Sequence, residues 1–191
     1  MINKLIVEDA LLGKAQLFNR TNENFSKTRD IFSARLQTFI IETEKYLEAA
    51  IIGEIGNNTF DHNFGYISDY PDGVYCDNAY KQWYVVLVDY GKGILQSLLN
   101  VLPELRNDKE AVEIAFTQRI SGRSPEQRGN GLKFVADTII EKGWCLYFQS
   151  GNGSCSIDKN GLSFAEEANF TIGCLAIIDF HGDIKYDHTG N

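Results

Sequence analysis

Residues Gly53 to His62, "GEIGNNTFDH", carry Glu54, Asn58 and Asp61 at spacings of four and three, with His62 at the edge of the same row. On a helix turning about 100° per residue, they extend the stripe formed by Leu47, Ala50 and Ile51 and face where apolar residues face one turn earlier. Gly53 and Gly56 weaken such a helix by roughly 1 kcal/mol each relative to alanine, which suggests close backbone approach to something. A carboxylate and an amide on a pocket wall can bind a metal ion or hold a water. A helix that merely leaves the core for solvent would carry the same pattern, and this segment alone leaves both readings open.

Two other stretches offer complementary chemistry. In "VVLVDYGKGI", Asp89 closes a buried strand and Gly91 and Gly93 precede a helix start. A carboxylate there can accept a hydrogen bond from an exocyclic amine, while the glycines let backbone approach a flat ring. The spacing fails the dinucleotide-binding pattern, because Gln96 stands where its third glycine would be. In "RGNGLKFV", Arg128 to Val135, two glycines free amides at a helix N-terminus, a good phosphate site by dipole and geometry. Taken singly, each is also an ordinary turn.

The elements that must position these groups follow from periodicity. "FSKTRDIFSARLQTFIIETEKYLEAAIIGEIGNNTFDH" predicts one long helix or two abutting ones, with Ser26 as N-cap. "KQWYVVLVDYG" predicts a buried strand, and "GILQSLLNVLPEL" a helix broken at Pro103. "DKEAVEIAFTQRI" and "GLKFVADTIIEKG" have helical spacing, the second closed by Gly143. "WCLYFQSGNGSCSID" and "FTIGCLAIIDF" predict strands, the first ending at a glycine-rich turn that suggests a hairpin. Helices first and antiparallel-looking strands last favour an α+β two-layer sandwich over a doubly wound sheet. No linker divides the chain, so residues 1–191 are expected to form one domain, with a helical extension over about 1–45.

Composition bounds the function. A length of 191 residues with 43% hydrophobic content and 3 prolines indicates a globular chain with room for a sizeable core. The net charge of −8 argues against nucleic-acid or anionic-membrane binding by bulk charge, though not against a polyanion held locally. No apolar run reaches about 18 residues, and the N-terminus lacks a signal-peptide pattern, so no membrane span or secretion is expected. Cys76, Cys145, Cys155 and Cys174 show no C-x-x-C spacing, which fits reduced thiols and a cytoplasmic setting.

In combination the motifs become specific. E-x-x-x-N-x-x-D/H on a helix, D-x-G-x-G-I after a strand and G-x-G-L opening a helix resemble the GHKL ATPase superfamily of gyrase, ninety-kilodalton heat-shock chaperones, histidine kinases and mismatch-repair ATPases. The resemblance runs from about Leu47 to about Ile178. "AFTQRISGRSPEQRG" looks like the lid of compact anti-sigma-factor kinases and stand-alone histidine-kinase-like ATPases. The resemblance implies a Bergerat-type sandwich, a mixed sheet covered on one face by helices, with ATP between helices and a mobile lid.

The resemblance also assigns roles. Asn58 matches the asparagine that holds Mg²⁺ among the ATP phosphates, and Glu54 the general base acting on water or on a serine. Asp61 completes that motif. Asp89 matches the adenine-binding aspartate, with Gly91, Gly93 and Ile94 in the same box. Arg128, Gly129, Asn130, Gly131 and Leu132 match the segment that closes on phosphate. ATP, ADP and Mg²⁺ are the implied ligands, and a partner protein, as regulator or phospho-acceptor, is the implied associate. Serine is favoured over histidine as acceptor, because histidine kinases of this resemblance often carry asparagine where Glu54 stands. A non-catalytic nucleotide-dependent switch is the alternative. "IFSARLQTFIIETEKYL" could pair with a second copy or pack back on its own domain.

Three features depart from the family pattern. Cys174 stands where many members have a threonine that helps hold adenine, and Thr171 lies on the wrong face of its strand to replace it. The segment before the Asp89 strand is longer and more aromatic than a hairpin. No histidine begins an H-E/D pair on an upstream helix.

Overall fold

A computed structural model of the chain describes residues 25–62, 74–77, 84–120 and 131–181. A two-residue strand, β1 (Phe25–Ser26), leads into two helices, α1 (Arg29–Thr43) and α2 (Tyr46–His62). They are two helices because Glu44 adopts a left-handed φ of 58°, and its N–H closes α1 on the Ile40 carbonyl at 2.8 Å. Thr28, not Ser26, occupies the N-cap position. Ser26 belongs to β1, and its hydroxyl accepts from Arg35 Nη1 at 2.9 Å.

The glycines of α2 explain how closely the helices meet. An added Cβ at Gly53 would lie 3.1 Å from Leu36 Cδ2, and one at Gly56 would strike the Phe32 ring. The close approach expected at these glycines is therefore helix against helix.

After α2 come β2 (Val74–Asp77), β3 (Tyr84–Val88), α3 (Gly93–Leu98), α4 (Asp108–Thr117), α5 (Gly131–Lys142) and the hairpin β4 (Cys145–Asp158) and β5 (Gly161–Asp179). Helix α3 ends at Leu98, short of Pro103. The hairpin turns at Asp158–Gly161, so β5 begins earlier than its apolar run suggests. The "GNG" stretch is an irregularity inside β4, with register shifts flanking Gly151. Its cause is the start of α4: a Cβ on Gly151 or Gly153 would collide with Asp108, whose Oδ2 accepts from Asn152 N at 3.1 Å.

The strand order is β1–β2–β3–β5–β4, and helices pack on the sheet in an α+β arrangement. One detail differs from expectation. The sheet anticipated as mixed is antiparallel at each described pairing. β3 and β4, joined by a helical crossover, do run in the same direction, but β5 folds back between them. Each hydrogen-bonded neighbour is therefore reversed.

The core lies between one sheet face and the helices. Val85, Leu87, Leu146, Phe148, Ala176 and Ile178 meet Ile51, Ile55, Val112, Phe116, Val135 and Ile139 there. Phe116 and Phe148 pack edge to face at 5.2 Å. Val86, Val88, Leu175 and Ile177 on the opposite sheet face lie outside this core yet are buried too. Burial on both faces is what a strand without polar alternation requires. No described helix is long and apolar enough to cross a membrane.

Candidate functional site

The polar row of α2 sits one residue off its buried stripe. Ile51, Ile52, Ile55 and Thr59 are buried, whereas Ala50 and Glu54 are exposed and Asn58 is half-buried. One residue rotates a helix by about 100°, enough to move Glu54 from the core side to the rim. The expectation that Glu54 points with the core is thus corrected: it is exposed and does not line the cleft. Thr59, to which no role was assigned, is the polar group that continues the apolar stripe. Asn58 reaches the cleft described below, while neighbouring Asn57 does not line it. Only the helical backbone of Asp61 falls within the described structure.

Asp89 follows β3 directly and is 7% exposed. Its Oδ2 accepts from Thr59 Oγ1 at 3.0 Å, and its Oδ1 from the Gly91 amide at 2.7 Å. Its own amide donates to the Cys174 carbonyl at 3.0 Å. Gly173, with φ +70°, makes this approach feasible, since a Cβ there would strike the Asp89 carbonyl. Gly91 therefore serves the carboxylate through its N–H. In the same turn, burial raises the Tyr90 phenol above its ordinary value and lowers the Lys92 ammonium below its own.

Gly93 opens α3 at φ +76°, where a Cβ would come within 2.8 Å of Ser150 Oγ. The Ser150 hydroxyl accepts from Ile94 N at 2.9 Å and donates to the Gly173 carbonyl at 3.0 Å. A serine of β4 thus caps α3, whose own N-cap residue, Lys92, makes no side-chain cap bond. It also ties the glycine turn to β5.

These groups surround one cleft of about 470 Å³, part of it open to solvent. Asn58, Thr59, Asp89, Gly93 and Ser97 provide its polar positions. Ile55, Leu87, Val88, Ile94, Phe148, Cys174 and Ala176 complete the lining. Asn58, Asp89, Gly93, Ile94 and Cys174, singled out from three separate stretches, are thereby brought together. Cys174 is half-buried, whereas Thr171 is buried with its hydroxyl unpartnered and takes no part in the cleft.

Gly131 and Leu132 open α5 and do not line the cleft. The Glu54 carboxylate lies against Gly131, where a Cβ would come within 2.5 Å of Oε2. An exposed α2 side chain thus meets the start of a distant helix. Arg128, Gly129 and Asn130 lie outside the described residues, as does most of the expected lid.

The sequence reading missed Thr59 and Ser150. Each is a hydroxyl at a position that is otherwise core, a signal legible only after the buried stripe of α2 and the register of β4 are known.

No protein-family model matches the chain, and no curated protein is significantly similar to it. Among solved structures, it is similar to the 43K ATPase domain of Thermus thermophilus gyrase B in complex with an aminocoumarin. Identity is 17% and the TM-score 0.40, over 68% of this chain and 32% of that one. The chain spans about a third of that structure's length, and a likeness at this score bears no weight on the chemistry of the cleft.

Proposed function

We propose that the chain binds ATP in this cleft and, with Mg²⁺, hydrolyses it or passes its terminal phosphoryl group to a partner protein, a serine sooner than a histidine. The observation that supports this reading is the convergence of Asn58, Asp89, Gly93, Ile94 and Cys174 on one cleft with an apolar lining. A purine needs apolar contact on its flat faces and a placed acceptor at its amino edge. Ile94 and Phe148 suit the first need, and Asp89 the second.

Gly131 and Leu132, the first residues of α5, would meet phosphate at the positive end of that helix. Among the described residues, no group of three or more His, Cys, Asp or Glu could hold a metal by itself. A single amide oxygen from Asn58 nevertheless suits Mg²⁺, which keeps several waters and takes further ligands from phosphate oxygens. When bound, the ion would neutralise phosphate charge. Glu54, one turn before Asn58 and against Gly131, is the base proposed to take a proton from water or from a serine hydroxyl. Arg128, Gly129 and Asn130 enter this proposal through the sequence resemblance.

One observation favours a second reading, a nucleotide-dependent switch with negligible turnover. Glu54 is exposed and is not part of the cleft lining. Titration calorimetry with ATP and ADP, with and without Mg²⁺, tests binding first. ADP formation by wild type and Glu54→Ala, with and without candidate partners, then separates the readings. An enzyme converts ATP to ADP, with phosphate released or the partner phosphorylated, and loses that in the variant. A switch binds ATP and forms no ADP.

A further inference from the structure

Thr59 is the one cleft hydroxyl that touches the Asp89 carboxylate among the hydrogen bonds described above, and none of the roles assigned so far uses it. Its behaviour differs from that of three exposed helical threonines. Thr38, Thr43 and Thr117 each donate to the carbonyl four residues back, at 3.1, 2.6 and 2.6 Å. A hydroxyl has one hydrogen, and Thr59 directs it instead to a side chain 30 positions away. Both residues are buried, Thr59 at 5% and Asp89 at 7% exposure.

The rotation of an aspartate carboxylate about its last bond is soft, with a broad and roughly two-fold preference. At Asp89 the plane is held from two elements: Thr59 Oγ1 on Oδ2 and the Gly91 amide on Oδ1. We propose that Thr59 is the positioning residue that makes the cleft select a 6-amino over a 6-oxo purine. It locks the carboxylate in the orientation that presents an acceptor to the amine. The proposal rests on the nucleotide reading above. Cys174, in the place where a threonine would be expected, is not needed for this role. A carboxylate freed from Thr59 can turn to accept from the protonated ring nitrogen of a 6-oxo purine, and discrimination fades.

ATP and ITP differ only at this edge, so their affinities, measured by calorimetry on the full chain, give the test. Wild type should prefer ATP by at least about tenfold, the cost of opposing two acceptors. Thr59→Val, which keeps the shape and removes the hydroxyl, should bring the ratio within about threefold, chiefly by weakening ATP. Thr59→Ser should restore it. If the valine variant does not fold, Thr59→Ala is measured in its place against the same serine control. A merely structural threonine would weaken both nucleotides equally. An unchanged ratio in Thr59→Val, or no rescue by serine, overturns the proposal while leaving ATP binding intact. Wild type that binds neither nucleotide overturns the nucleotide reading and this inference with it.

Discussion

The Asp89 cleft and the Glu54–Gly131 contact outside its lining are held in opposite ways. Around Asp89, buried polar groups are tied across the chain: Asp89 to Thr59 and Gly91, Ser150 to Ile94 and Gly173. At Glu54, an exposed carboxylate rests against the first residue of α5. The difference is one of preorganisation. A carboxylate fixed by folding loses no rotational freedom when a ligand arrives, whereas an exposed glutamate must still be ordered. On the nucleotide reading proposed above, selection of the base would fall to the rigid side, and whatever is done to the phosphate to the adaptable one.

The largest break in this contrast should come from Asp89→Asn. It leaves the shape but removes the charge and replaces one of two acceptors, each already bonded to Thr59 or Gly91, with a donor. ATP affinity should fall on the order of a hundredfold while the protein still melts cooperatively. Calorimetry alongside a thermal melt checks both, and an affinity within threefold of wild type would erase the distinction between the two.

Gly173→Ala should follow, judged against Gly143→Ala. Both glycines have nearly the same left-handed backbone, φ +70° and +67°. At Gly143 a Cβ meets nothing within 4 Å, so only backbone strain of about 1–2 kcal/mol is expected. At Gly173 the new Cβ strikes Asp89, which adds roughly 1–3 kcal/mol and displaces the acceptor. Chemical denaturation and ATP titration of the two variants should diverge. Equal stability losses with ATP binding kept would mean that the Asp89 group is not rigid.

A smaller effect is expected from Ser150→Ala, which leaves the Ile94 amide and the Gly173 carbonyl without their common partner. Stability should drop by about 1–3 kcal/mol, read as a lower urea midpoint at unchanged slope. ATP affinity should fall less than in Asp89→Asn.

The smallest effect on binding and stability should be that of Glu54→Ala. The side chain is exposed, so stability should stay within about 0.5 kcal/mol, and ATP affinity within the corresponding margin. Turnover, if the chain is an enzyme, should nonetheless vanish. A large loss of ATP binding would place Glu54 with the rigid Asp89 group after all.

Much of this arrangement was legible in the linear chain, though unevenly. Asp89 could be placed because an apolar run followed by an acid and two glycines leaves few local alternatives. The cap at Gly143 and the helix from Gly131 followed from equally local signals. On α2 the periodicity was correct but its phase was not: Ala50 and Glu54 proved exposed, and Ile52 and Thr59 buried. A mixed run of apolar and polar residues allows two neighbouring stripes, and what packs against the helix chooses between them.

By itself, then, the amino-acid sequence determined the helices and strands around the cleft, the α+β class, the placement of Asp89 and Gly93 at the turn after β3, and that of Asn58 on α2. These depend on interactions within a few residues, which periodicity and turn chemistry record. Tertiary structure alone decided that Thr59 would hold Asp89 and that Ser150 would cap α3. It also decided that Gly53 and Gly56 would admit α1, and that β5 would fold between β3 and β4. Those contacts join residues 30 positions apart in the case of Thr59 and Asp89, and 56 in that of Ser150 and Ile94. No local spacing encodes them, because a side chain acquires a distant partner only when packing of the whole core brings two elements to one place.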